Sequence, residues 1–123
     1  MANFTSYPDG LEQAVLQALF CHQGRRAAIG RGRLVYDLAC GGHHAHERAV
    51  RECIKQLRRQ GHLICAMPGE DGGYYMAETL EEFQEFDRAE FGAKIADMNE
   101  TRQALLKAAR KQFGDAVQME LTL

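Results

Sequence analysis

Arg48, Arg51, Lys55 and Arg59 recur at intervals of three, four and four residues inside HERAVRECIKQLRRQ, the stretch from His46 to Gln60. At 100° per residue, Arg48, Glu52, Lys55 and Arg59 fall on one side of a helix, with Arg51 and Arg58 on one flank. Cations spaced this way can do two kinds of chemistry on a DNA duplex. A guanidinium can donate two hydrogen bonds to the O6 and N7 acceptors of guanine in the major groove, and any of these side chains can pair with phosphate. Arg48 and Arg51, in the first half of the helix, are the candidates for base edges; Lys55 and Arg59 are the candidates for phosphate. Arg31 and Arg33, at the start of the preceding helix, are placed to hold the backbone across the groove, with Arg25 and Arg26 as further phosphate candidates. Glu52 either accepts from a cytosine amine or orients Arg48 as its i, i+4 neighbour. The plain alternative is the solvated face of an ordinary amphipathic helix.

Cys40, His43, His44 and His46 place four possible metal ligands within seven residues. Tetrahedral sites draw their ligands from two separated pairs more often than from one run, so no metal is assigned. His44 and His46 are instead expected to donate to phosphate at the helix N-terminus, where the dipole favours an anion. A solvated polar turn would carry the same residues.

The opposite face of the basic helix explains what holds it. Val50, Cys53, Ile54 and Leu57 share that face and require burial. Before it, Asp9 and Gly10 offer an N-cap to LEQAVLQALFCHQ, with Leu11, Val15, Ala18 and Leu19 on one side and Gly24 as the stop. Ala27 to Ile29 predicts a very short strand. Arg31 to Ala39 predicts a second helix through Leu34 and Leu38, ending in Gly41 and Gly42. After Gly61, HLICAM and then Tyr74 to Met76 predict two strands joined by the turn PGEDGG. Strand alternation predicts one buried and one exposed tyrosine in Tyr74-Tyr75. From Leu80 the pattern is helical to Phe113, with soft points at Gly92 and Asn99. Phe91, Ile95, Met98, Leu105 and Ala109 form a short heptad-like seam interrupted by Arg102, which suits a homodimer contact. Alternatively, Leu80, Phe83 and Phe86 pack back on the first part and the rest is a solvated helix. The end, GDAVQMELTL, is either a frayed tail or a strand for a partner.

The formal net charge of −2 hides an asymmetry. Between Gly24 and Gln60 nine lysines and arginines face three acids, whereas from Thr79 onward six face nine. Positive potential is therefore concentrated where a phosphate partner needs it. No apolar run approaches the ~20 residues of a membrane span, and the N-terminus has no apolar signal stretch, so a cytoplasmic protein without membrane association is expected. Cys21, Cys40, Cys53 and Cys65 are widely spaced and expected to be free. There is no glycine-rich phosphate loop followed by Lys and Ser or Thr, no GxSxG and no HExxH, so neither an enzyme nor a cofactor is expected.

IGRGRLVYDLACGG followed by ERAVRECIKQLRRQGHLICAMPGEDGGYYMAETLEEF resembles the winged helix-turn-helix domains of bacterial and prophage proteins, including the front domain of biotin-operon repressors. The likeness rests on Ile29 and Leu34, on Val50, Ile54 and Leu57, and on Gly61, Ile64 and Gly72-Gly73-Tyr74-Tyr75, and it covers Leu11 to Glu82. The turn before the basic helix is longer than that family's, and the wing tip carries Glu70 and Asp71 where phosphate would repel them. The resemblance implies a mainly α fold with a small β-hairpin wing over residues 1–78, followed by a helical extension and tail over 79–123. It also implies sequence-specific binding of double-stranded DNA in transcription regulation or a phage-type role, with a winged-helix protein-interaction module as the alternative. A metal-sensing regulator would be a third class.

Overall fold

Three short helices, Leu11–Phe20 (α1), Arg31–Cys40 (α2) and Glu47–Arg59 (α3), close on one another through the apolar stripes that their spacing predicts. The computed structural model describes residues 10–69 and 72–114. Leu11, Val15 and Leu19 of α1, Leu34 and Leu38 of α2, and Val50, Cys53, Ile54 and Leu57 of α3 are buried in one cluster. At about 25 cal/mol per Å² of apolar surface removed from water, such burial is the main force holding a domain of this size.

The backbone marks the ends of α2 and α3 in the same way. Gly42 and Gly61 both have positive φ, 93° and 101°, which side chains with a Cβ rarely adopt. After α2, the Gly42 N–H donates to Ala39 O at 3.0 Å and the His43 N–H to Leu38 O at 2.8 Å. After α3, the Gly61 N–H donates to Arg58 O at 3.0 Å and the His62 N–H to Leu57 O at 3.1 Å. Both are Schellman caps, so the two glycines fix where α2 stops and α3 stops. α3 begins at Glu47, with His46 as the extended residue ahead of it.

A three-stranded antiparallel sheet lies beside the helices, formed by Ile29–Gly30 (β1), Ile64–Ala66 (β2) and Gly73–Met76 (β3) in the order β1-β3-β2. Tyr74 stands opposite Ile29 on one side and Ala66 on the other. A Cβ on Gly73 would meet the Ile29 carbonyl, so glycine is required where β1 and β3 approach. Ile29, Ile64, Tyr74 and Met76 belong to the helical core. Leu80–Asp87 (α4) covers the other face of the sheet, where Phe86 joins Cys65 and Tyr75 in a second buried cluster.

The second face overturns one expectation. Tyr74 and Tyr75 are both buried, at 6% and 4% exposure, because each face of the sheet has its own cover. Other boundaries also move. α1 ends at Phe20, short of Gly24, because His22 O accepts from the Met76 N–H at 2.8 Å and Gln23 bridges to Met76, which draws this backbone into the sheet. Arg25–Ala27 is a 3₁₀ turn, so the strand expected from Ala27 starts at Ile29. Leu63 lies outside β2 and is exposed.

The chain divides into two compact units, Met1–Phe86 and Asp87–Leu123. In the second, a π-helical turn at Arg88–Gly92 precedes Ala93–Phe113 (α5), 21 residues of which none is buried. Gly92 falls in the π turn, whereas Asn99 interrupts nothing. Asp9, the acidic pair Glu70 and Asp71, and the expected tail or strand after Gly114 lie outside the described residues. Among the described residues no helix is long and apolar enough to cross a membrane.

Candidate nucleic-acid interface

α3 presents a stripe of cations because its other face is committed to the core. Ala49, Val50, Cys53, Ile54 and Leu57 are buried, which turns Arg48, Arg51, Lys55 and Arg59 outward, and all four are exposed. From Arg48 to Arg59 the rise of 1.5 Å per residue spreads these charges over about 16 Å. None of the four is in an ion pair among the described residues. Glu52, half-buried, does not pair with Arg48, so the orienting role considered for it is not realised.

Four other arginines, Arg25, Arg31, Arg33 and Arg58, are engaged by the protein itself, while Arg26 is exposed. Arg58 Nε donates to Ile64 O at 2.8 Å, and its guanidinium sits 5.0 Å from the centre of the Phe86 ring. Arg58 therefore ties the end of α3 to β2 and α4, which removes it from the outward flank where the helical wheel places it. Arg31 Nη1 donates to Gly69 O at 3.1 Å and Gly72 O at 3.3 Å, and the group lies over Tyr74 at 5.8 Å. These contacts brace the β2–β3 connection. Arg33 Nε donates to Asp37 Oδ1 at 2.9 Å, four residues on, with Tyr36 beside it. The Asp37 hydrogen bond holds the Arg33 guanidinium above its ordinary pKa, and both groups remain solvated on the α2 surface. Arg25 is 3.6 Å from Glu85.

Arg31 and Arg51 are brought together. They line one shallow recess between α2, α3 and β3, with Val35, Glu47, Val50 and Tyr74. Arg33 is not among its lining residues. His44 and His46 are exposed at the N-terminal approach to α3, and the His46 side chain makes no capping hydrogen bond. His43 is half-buried, with its ring near Gly10. Among the described residues no group of three or more His, Cys, Asp or Glu is placed to hold a metal ion.

No protein-family model matches the chain, and neither a curated protein nor a solved structure matches it.

Two positioning features go beyond the site roles that the sequence suggests. One is Arg58, whose role depends on β2 and α4 lying next to α3. The other is the start of α4. Glu82 accepts from the backbone N–H of Arg25 and of Glu78, both at 2.9 Å, while the Glu82 N–H donates to Thr79 Oγ1 at 3.1 Å. These backbone donors hold the Glu82 carboxyl below the usual carboxylate range. Thr79-x-x-Glu82 is a capping-box pattern, so a signal for this contact was present in the sequence. Burial pushes the Cys53 thiol up to about 11 and raises both Cys65 and Tyr75, which leaves these groups neutral packing residues.

Proposed function

We propose that this chain binds double-stranded DNA through α3, as a winged helix-turn-helix transcription regulator or phage-type DNA-binding factor. The observation that carries the reading is the stripe Arg48, Arg51, Lys55 and Arg59, exposed and without an ion pair among the described residues, on a helix whose other face is locked in the core. A major groove about 12 Å wide admits one helix of this kind. Arg48 and Arg51 then reach base edges near the start of the helix, and Lys55 and Arg59 meet phosphate. His44 and His46, exposed before the helix, add donors to a phosphate at its N-terminus. Arg31 acts mainly by bracing the β2–β3 connection beside Arg51, and Arg33 adds a solvated charge already balanced by Asp37. The chain performs no chemical step in this role.

Glu70 and Asp71, which lie between β2 and β3 in the sequence, favour one rival: a protein-interaction module whose basic helix binds an acidic partner. Fluorescence anisotropy with random-sequence duplex at two salt concentrations separates them. The DNA reading expects binding that weakens steeply with salt, through counterion release, and is lost in Arg48→Glu/Arg51→Glu. Absence of binding at low salt would overturn it and leave the rival.

A further inference from the structure

We propose that a second copy of this chain covers the apolar seam of α5, running antiparallel to the first. This concerns the second unit and stands independently of DNA binding. The turn and helix leave Phe91, Ile95, Met98 and Leu105 exposed, the last three at 66%, 70% and 66%. Their spacing of four, three and seven, extended by Ala109, returns them to one side of the helix over about 27 Å. Contiguous apolar surface of this kind marks an interaction face, and a heptad repeat marks another helix as its occupant.

Charge identifies that helix and its direction. From Arg102 to Lys111 the helix carries Arg102, Lys107, Arg110 and Lys111 and no acid, whereas Asp97 and Glu100 precede Arg102, and Glu90 ahead of them is paired with Lys94 at 2.8 Å. A parallel pair would lay the two basic ends side by side and set Arg102 of each copy against the other inside the seam. Like charges in contact oppose that arrangement. Reversing one copy removes both conflicts. A register that pairs Ile95 with Leu105 of the second copy also pairs Phe91 with Ala109 and Arg102 with Met98. The Arg102 stem then packs on Met98 while its guanidinium extends toward Asp97 of the second copy. One sequence thus supplies both complementary halves, and a polar residue at a single seam position selects orientation as it does in other coiled coils.

Sedimentation velocity of the full chain at micromolar concentration tests the occupant. The expected mass is twice the 13.8 kDa of one chain, falling to one chain in Ile95→Asp/Leu105→Asp. Both positions are exposed, so the first unit's thermal transition should persist in the variant and serves as the folding control. Orientation is read in a Cys21→Ser/Cys40→Ser background with a short bismaleimide. Ile95→Cys chains should crosslink to Leu105→Cys chains when mixed, and neither should crosslink when alone. A monomeric wild type would overturn the proposal and leave the face to a different protein. So would a dimer indifferent to the two aspartates, or self-crosslinking of the Ile95→Cys chain.

Discussion

α3 and α5 are both amphipathic by sequence, yet one buries five residues and the other none. α3 is 13 residues long and its apolar stripe is met by α1, α2 and the sheet. α5 is longer and holds more apolar side chains in solvent. Periodicity therefore reports that a face requires a partner, and only the packing says whether the partner belongs to the same chain. In α3 that demand fixes the direction of four cations. In α5 it remains available for association.

The contrast can be broken most forcefully in the core. Ile54→Ala should cost about 2–5 kcal/mol, the range for removing a large buried aliphatic group. Leu105→Ala should leave the first unit's urea transition within about 0.5 kcal/mol. Equal losses at the two sites would show that the helices do not differ as described. Next in size is Arg58→Met, which keeps much of the stem and removes the donor to Ile64 O. A charged hydrogen bond of this type contributes about 1.5–3 kcal/mol, so a smaller urea midpoint shift is expected than for Ile54→Ala. Arg33→Met, whose ion pair is solvated, should leave the urea midpoint close to that of wild type.

Glu82 sharpens the comparison through pH. Its folded pKa is depressed below the ordinary 4.5, so its stabilising contribution is present above 4.5 and disappears as pH falls through the folded value. Glu82→Gln should lower Tm at pH 7, with the gap to wild type closing on acidification. A gap that widened would contradict the sign. The smallest perturbation is chemical: a thiol reagent at pH 8 should modify exposed Cys21 and Cys40 rapidly, with buried Cys53 and Cys65 reacting only on unfolding. Rapid reaction of Cys53 would place α3 outside the core.

Much of the helical part was legible from residue spacing. Leu34 with Leu38 and Val50 with Ile54 and Leu57 identify the faces that are buried, and Gly42 and Gly61 stand where the caps require positive φ. The outward direction of Arg48, Arg51, Lys55 and Arg59 follows from the same geometry. Long-range contacts were less visible. Tyr75 is buried because α4 returns over the sheet, and Arg58 turns inward because Ile64 and Phe86 converge on it. The first was signalled by the three-residue spacing of Leu80, Phe83 and Phe86, of which Phe86 is buried; the second leaves no local periodic trace. The π turn before α5 was marked in the sequence only by Gly92, the soft point at its end.

The central claim is that the α3 cations, rather than basic charge in general, carry DNA binding. Its most direct measurement is the slope of log Kd against log salt for wild type, Lys55→Ala, Arg59→Ala and Arg33→Ala on one duplex. Loss of a phosphate contact should reduce the slope by about one in each of the first two variants, while Arg33→Ala leaves it close to wild type. Equal reductions in all three, or a wild-type slope near zero, would contradict the account.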